Sequence, residues 1–194
     1  MGTDIHGFLE ARWKSDRPWW RACEIEDSRN YRVFAVLADV RNGRGFAGVV
    51  SHEPIKPIAE PRGLPDDHTT GWGEDAEGEF GDHSFSWLSL AEISEWPGWD
   101  QTLHEQVWID RKQYEETWLP AGGGVPNGWS GGVSGGSVIH ADHDAEHFPD
   151  GWNYVRVSWS RPLRDACSLF LTWLEYAKAK VGDAEGRIVF GFDS

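Results

Sequence analysis

Alternation of apolar and polar positions marks the first stretch of the chain. From Ile5 to Trp13, Ile5, Leu9, Ala11 and Trp13 fall on one side and His6, Phe8, Glu10 and Arg12 on the other. That two-residue period predicts a strand. Lys14-Ser15-Asp16-Arg17-Pro18 then predicts a turn into a return strand over 19–26, giving a hairpin. Asp27-Ser28-Arg29-Asn30 offers N-cap oxygens. A helix follows, because Tyr31, Phe34, Leu37, Ala38 and Arg41 recur at helical spacing, with Asn42-Gly43 as its stop.

Past Gly43 the pattern fades. Residues 43–81 carry Pro54, Pro57, Pro61 and Pro65 and read as a long loop. His83–Leu88 predicts a short strand, and Ser89-Leu90-Ala91-Glu92 a capping box for a helix to about Trp96. Residues 102–109 alternate weakly, and Asp110 caps a short helix through Trp118. Residues 120–137 hold eight Gly, which predicts a second long loop. Val155, Val157 and Trp159 form one side of a half-buried strand. From Pro162, the stripe Leu163, Ala166, Cys167, Phe170, Trp173, Leu174, Ala177 and Val181 predicts the best helix, ended by Gly182. Ile188-Val189-Phe190 reads as a last strand. Strands and helices in mixed order predict one α+β (or mixed α/β) domain over 1–194. It has an N-terminal hairpin, a mixed sheet and three to four helices.

Charge changes this picture more than length does. The 194 residues carry a formal net charge of −14. Residues 1–58 hold nine basic and eight acidic side chains, a net of +1; residues 59–110 hold one and thirteen, a net of −12. An acidic field repels duplex phosphates, so duplex nucleic acid is not an expected partner. No stretch is long and apolar enough for a membrane span, and the opening residues lack a signal-peptide layout. Cys23 and Cys167 lie 144 positions apart in apolar patterns, which fits reduced core thiols in a cytoplasm. Of the 13 Trp, Trp13, Trp87, Trp159 and Trp173 are expected in the core, whereas Trp72, Trp99, Trp129 and Trp152 fall on loops.

Several blocks resemble a known group. Met1-Gly2-Thr3-Asp4-Ile5-His6 is similar to the start of a family of uncharacterised phage and prophage proteins that begin Met-Gly-x-Asp-Ile-His. Further similar blocks are Arg29–Ala35 with Val40-Arg41-Asn42, Pro61-Arg62-Gly63-Leu64-Pro65, His83–Leu90 and Arg187–Asp193. The resemblance implies a phage origin and the cytoplasm of a bacterial host, and no particular activity. Thr3 stands where many relatives carry Cys, so a thiol there is not essential.

The polar residues in these blocks are the candidate chemistry. In Asp4-x-His6 the carboxylate can orient the imidazole for general-base work, or both can ligate a metal; the plainer reading is a turn cap and a satisfied histidine. Asp82-His83, with Ser84 and Ser86, is a second candidate of the same type. If the two converge, His6, His83, Asp4 and Asp82 form a catalytic set. Asp4, His6 and His83 then form a possible divalent-metal set, with Asp193 as a further ligand. Gly43-Arg44-Gly45-Phe46-Ala47-Gly48 matches G-x-G-x-x-G by letter, but a dinucleotide fingerprint needs a strand before it and a helix after it. Arg29, Arg41, Arg44 and Arg62 remain available for an anion. His140, His143 and His147 sit in a polar loop read as solvated.

These readings converge on a polar cleft between the first strand, the Arg29–Asn42 helix and the His83 segment. It would bind a phosphorylated, nucleotide-like small molecule through Arg29, Tyr31, Arg41, Asn42, Arg44, Arg62, Ser84 and Ser86, and would sequester a host signal. A metal- or histidine-dependent hydrolase is the first alternative. The second is an acidic module that docks on a host protein or mimics DNA.

Overall fold

The computed structural model describes residues 2–26, 29–70, 76–126, 133–134 and 137–194. The Asp27 and Ser28 cap oxygens, Trp72 and Trp129 lie outside them. The expected hairpin is present as β1 (Asp4–Arg12) and β2 (Trp20–Glu24). Helix α1 (Tyr31–Ala38) starts at Asn30, whose side chain accepts from the Arg32 amide. Then come β3 (Val50–Ser51), β4 (His83–Ser89), α2 (Leu90–Ser94), β5 (Thr102–Asp110) and α3 (Arg111–Gln113). The two-residue strands β6 (Val133–Ser134) and β7 (Ser137–Val138) precede β8 (Tyr154–Pro162), α4 (Leu163–Ala166), α5 (Ser168–Val181) and β9 (Glu185–Asp193).

The larger sheet has the order β2-β1-β9-β4 and the second β3-β5-β8; every described strand pair is antiparallel. Pairing of β1 with β9 runs from Asp4 opposite Asp193 to Arg12 opposite Glu185. This register puts Ile5, Leu9, Ile188, Phe190 and Phe192 on one face, packed against α1 and the Phe170, Leu174, Ala177 and Val181 stripe of α5. Fully burying one such side chain stabilises by about 1.5–3 kcal/mol, so the stripe read from the sequence anchors the domain. Among the described residues no helix is long and apolar enough to cross a membrane.

The opposite face carries polar residues, and the long 43–81 loop lies over part of it. Glu10 is fully buried there, taking Arg187 Nε at 2.9 Å on one oxygen and both the amide and hydroxyl of Thr69 at 2.6 Å on the other. Asp67 bonds Arg187 at 2.8 Å and the Trp19 indole at 2.9 Å; Glu79 holds Arg21 at 2.6 Å. Beside them, Arg12, Trp19, Arg187, Trp87 and Arg62 alternate as a ladder, with guanidinium carbons 3.9 to 5.9 Å from ring centres. The acidic segment thus meets arginines from both ends of the chain. At least four of its thirteen carboxylates (Asp67, Glu79, Asp100 and Glu105) are paired in this way, and Glu92 pairs with Arg62 inside the segment.

The second sheet is tied to α1 by a buried carboxylate. Glu105 of β5 has no exposed surface and bonds Arg32 Nε of α1 at 2.5 Å, Arg161 Nε at 2.9 Å and the Trp159 indole at 3.0 Å.

Four expectations need correction. Helix α1 ends at Ala38, not at Asn42, because Asp39 turns left-handed (φ 61°) and its amide and that of Val40 return to the Ala35 and Phe34 carbonyls. The C-terminal helix is broken at Cys167 into α4 and α5. Trp13 is 67% exposed because β1 stops at Arg12. Trp99 is buried instead, its indole donating to the Ile93 carbonyl at 2.7 Å.

Candidate functional site

One end of the larger sheet gathers most of the polar candidates. There β1 begins, β9 ends and β4 begins, so Asp4, Asp193 and His83 lie on neighbouring strands. His6 Nε2 is 3.0 Å from Asp193 Oδ2, and the Asp4 amide donates to Asp193 Oδ1 at 3.2 Å. Asp4 itself is held in a fork by Arg29, which keeps its carboxyl below the usual carboxylate range. His83 lies between two hydroxyls, Ser84 at 2.9 Å and Ser194 at 3.0 Å. The Ser194 hydroxyl lies 3.3 Å from that of Thr3, which accepts from Arg41 Nε at 2.7 Å. His6 and His83 therefore meet through successive residues, Asp193 and Ser194.

Each histidine has a partner other than its neighbouring aspartate. Asp193 lies directly opposite Asp4 and diagonal to His6, whose own opposite residue, Gly191, brings no side chain. With Asp4 held by Arg29, His6 reaches across the diagonal to Asp193, and Asp82 lies 3.9 Å from the His83 ring nitrogen, beyond hydrogen-bonding distance. The same geometry dissolves the metal set of Asp4, His6 and His83. Asp4 is spent on Arg29, and among the described residues no group of three or more His, Cys, Asp or Glu can hold a metal ion. His143 stacks on His147 with ring centres 4.5 Å apart, His140 meets His143 edge to face at 6.0 Å, and the three form no such group either.

A groove of about 740 Å³ opens beside this end of the sheet. Arg29, Tyr31, Arg41, Arg44, Phe46 and His140 line it, together with Gly2, Gly45, Ala47, Ser137 and Val138. Tyr31 is fixed by the Thr3 amide at 3.2 Å, and the Arg41 guanidinium lies 5.9 Å from its ring centre. Arg44 reaches both oxygens of Asp142 at 3.1 Å. The His140 Nδ1 atom is buried and has no hydrogen-bond partner among the described residues; burial, and then the charge of Arg44, lowers its pKa. The unpaired ring nitrogen retains hydrogen-bonding capacity.

The backbone beneath the groove is unusual. Arg29, Asp39, Arg41, Ala47 and Ser84 are the described non-glycine residues with positive φ, and all but Asp39 belong to the groove or to the His83 cluster. Such conformations cost of order 1–3 kcal/mol each and concentrate at ligand sites. The loop holding Asp39, Arg41 and Ala47 is clamped by Asn42, which bonds the Ile55 carbonyl at 2.6 Å and amide at 2.9 Å. Asn42 thus shapes the groove from behind rather than lining it.

Other predicted residues lie elsewhere. Arg62 pairs with Glu92 at 2.6 Å and packs on Trp87, and the buried Ser86 hydroxyl accepts from the Arg62 amide at 3.1 Å. Both serve the folding of the acidic segment onto the sheet. Ser84 serves His83. Sequence reasoning missed Phe46 and Ser194, and it read His140 as solvated. Phe46, standing exposed in a Gly-Phe-Ala-Gly turn, was the most readable of the three. Comparison with protein-family models, characterised proteins and solved structures finds no match to this chain.

Proposed function

We propose that the protein binds a phosphorylated, nucleotide-like small molecule in the groove of Arg29, Tyr31, Arg41 and Arg44. The observation that carries this reading is the meeting of three guanidinium groups with two aromatic rings around one open groove, in a chain of net charge −14. Guanidinium forks suit phosphate oxygens, while Tyr31 and Phe46 suit a flat ring. The ion pairs of Arg29 with Asp4 and Arg44 with Asp142 are partly solvent-exposed. Pairs of that kind contribute about 0–1 kcal/mol, so a phosphate can share or displace them. In the phage setting implied by the opening motif, such a protein acts in a bacterial cytoplasm and withholds a host nucleotide signal.

A thermal-shift panel of mono-, di- and cyclic nucleotides tests the reading. A ligand at 100 times its Kd should raise Tm by about 5–10 °C for a domain of this size. Arg41→Ala and Arg44→Ala should each lose most of that shift. No shift across the panel, or full shifts in both variants, rejects the proposal.

A second reading makes the same molecule a substrate. It is favoured by the 3.0 Å contact of His6 with Asp193, an aspartate-oriented imidazole of the kind that removes a proton from water. His83, between two hydroxyls, is the companion acid. Release of inorganic phosphate from a bound nucleotide, lost in His6→Gln, would select hydrolysis over sequestration.

A further inference from the structure

We propose a second binding site, for single-stranded nucleic acid, at the tip of the β1–β2 hairpin. The turn is closed by the Arg17 amide on the Lys14 carbonyl at 3.0 Å, which sets Lys14 and Arg17 at its two corners. Trp13 precedes it, 67% exposed, and Trp20 follows it, 37% exposed. With Pro18 and Trp19, these residues border an open hollow of about 570 Å³. Trp19 forms a fixed wall, because Arg12 and Arg187 pack on its ring and its indole N–H is bonded to Asp67. The other two indoles offer their surface to solvent.

Charge points to the occupant. Residues 12–21 hold four basic side chains and one acidic, against −14 for the whole chain. Arg12 and Arg21 are engaged with Glu185 and Glu79. Lys14 and Arg17 are exposed, and neither makes an ion pair among the described residues. Aromatic faces beside unpaired cations are what a single strand uses: bases stack on the rings while phosphates meet the cations. Stacking is open to every base, so little sequence preference is expected. The rest of the molecule decides against broader partners. A thin, flexible strand can lie in the open hollow at the exposed turn and keep its other phosphates away from the acidic body. A duplex or an anionic bilayer would bring its charge against that body. The groove residues take no part, so this site stands independently of the proposed nucleotide site.

The test is fluorescence anisotropy of a labelled 12-nucleotide oligothymidine with the full chain at low salt. Binding is expected, with a log–log salt slope of about −1.4 for two neutralised phosphates. Trp13→Ala should weaken it about ten-fold, in keeping with the loss of one stacked base. Lys14→Glu combined with Arg17→Glu should abolish it, and Arg41→Ala should leave it unchanged. These tip positions are exposed, and unchanged melting temperatures will show that the variants are folded. Absence of binding at low salt overturns the proposal. So does binding that survives the tip substitutions, or equal affinity for a duplex or for phosphatidylserine vesicles.

Discussion

His6 and Asp193 are 187 positions apart in sequence, yet their side chains meet at 3.0 Å at the end of the β1–β9 ladder. Both are about half exposed, with side-chain accessibilities of 40% and 47%. A pair of this exposure stabilises by at most about 1 kcal/mol. His6→Gln and Asp193→Asn should therefore unfold in urea close to the unsubstituted chain. A loss above about 2 kcal/mol would show that the pair is structural. If the protein hydrolyses its ligand, His6→Gln should slow turnover about 10²–10⁴-fold at nearly constant stability.

Glu105 presents the opposite case. It is fully buried and bonded to Arg32, Arg161 and Trp159, so removing its charge leaves two guanidinium groups without their carboxylate. Breaking a buried pair from one side costs about 3–5 kcal/mol. Glu105→Gln should lower stability by that order in a denaturant titration. It should also loosen the second sheet from α1, which amide hydrogen exchange along β5 and β8 would register.

Glu92 makes the protein's stability sensitive to acid. Hydrogen bonding from Arg62, with further help from Ser89, lowers its carboxyl from the ordinary 4.5 to about 2, against the opposing effect of burial. A depressed folded-state pKa contributes stability above the unfolded value, and that contribution fades as pH falls from about 4.5 toward 2. Urea midpoints measured across this window should fall less steeply in Glu92→Gln than in the unsubstituted chain. Parallel curves would remove Glu92 from the acid response.

Gly81 permits the close approach that brings β4 to the end of β9. It has φ of +79°, and a Cβ there would lie 2.3 Å from the Phe192 carbonyl oxygen. The next amide, that of Asp82, donates to this same oxygen at 2.7 Å. Gly81→Ala is expected to destabilise by about 1–3 kcal/mol and to displace His83 from Ser194. A thermal melt and the NMR shifts of the His83 ring would report the two effects separately.

Local pattern carried the elements, and cross-chain pairing carried the site. The alternation of β1, the Ser89–Glu92 capping box and the stripe along α5 are short-range signals, and the structure has all three. Trp99 could not be placed by period, since it sits in a Pro-Gly-Trp turn that has none. The convergence of Arg29, Arg41 and Arg44 followed from charge and from blocks near one another in sequence. The partners of the histidines did not: Asp193 and Ser194 lie across the sheet, and only the pairing of β9 with β1 and with β4 selects them over Asp4 and Asp82. The apparent acidic segment changed meaning for a related reason. Pairs such as Asp67 with Arg187, 120 positions apart, are invisible to a count of charges along the chain.

The central place of β9 also bears on synthesis. Strand β1 lies between β2 and β9, so residues 4–12 lack one partner until residues 185–193 have left the ribosome. At about 5–20 residues per second, Ile5 and Leu9 wait roughly 10–40 s for the strand that completes their sheet. Arrested nascent chains that stop before residue 185 should be cut readily by protease within β1, and those that include β9 should resist. Protection of the shorter chains would mean that the hairpin docks without its neighbour. Until that last strand arrives, the apolar face of β1 is a surface for chaperones to cover.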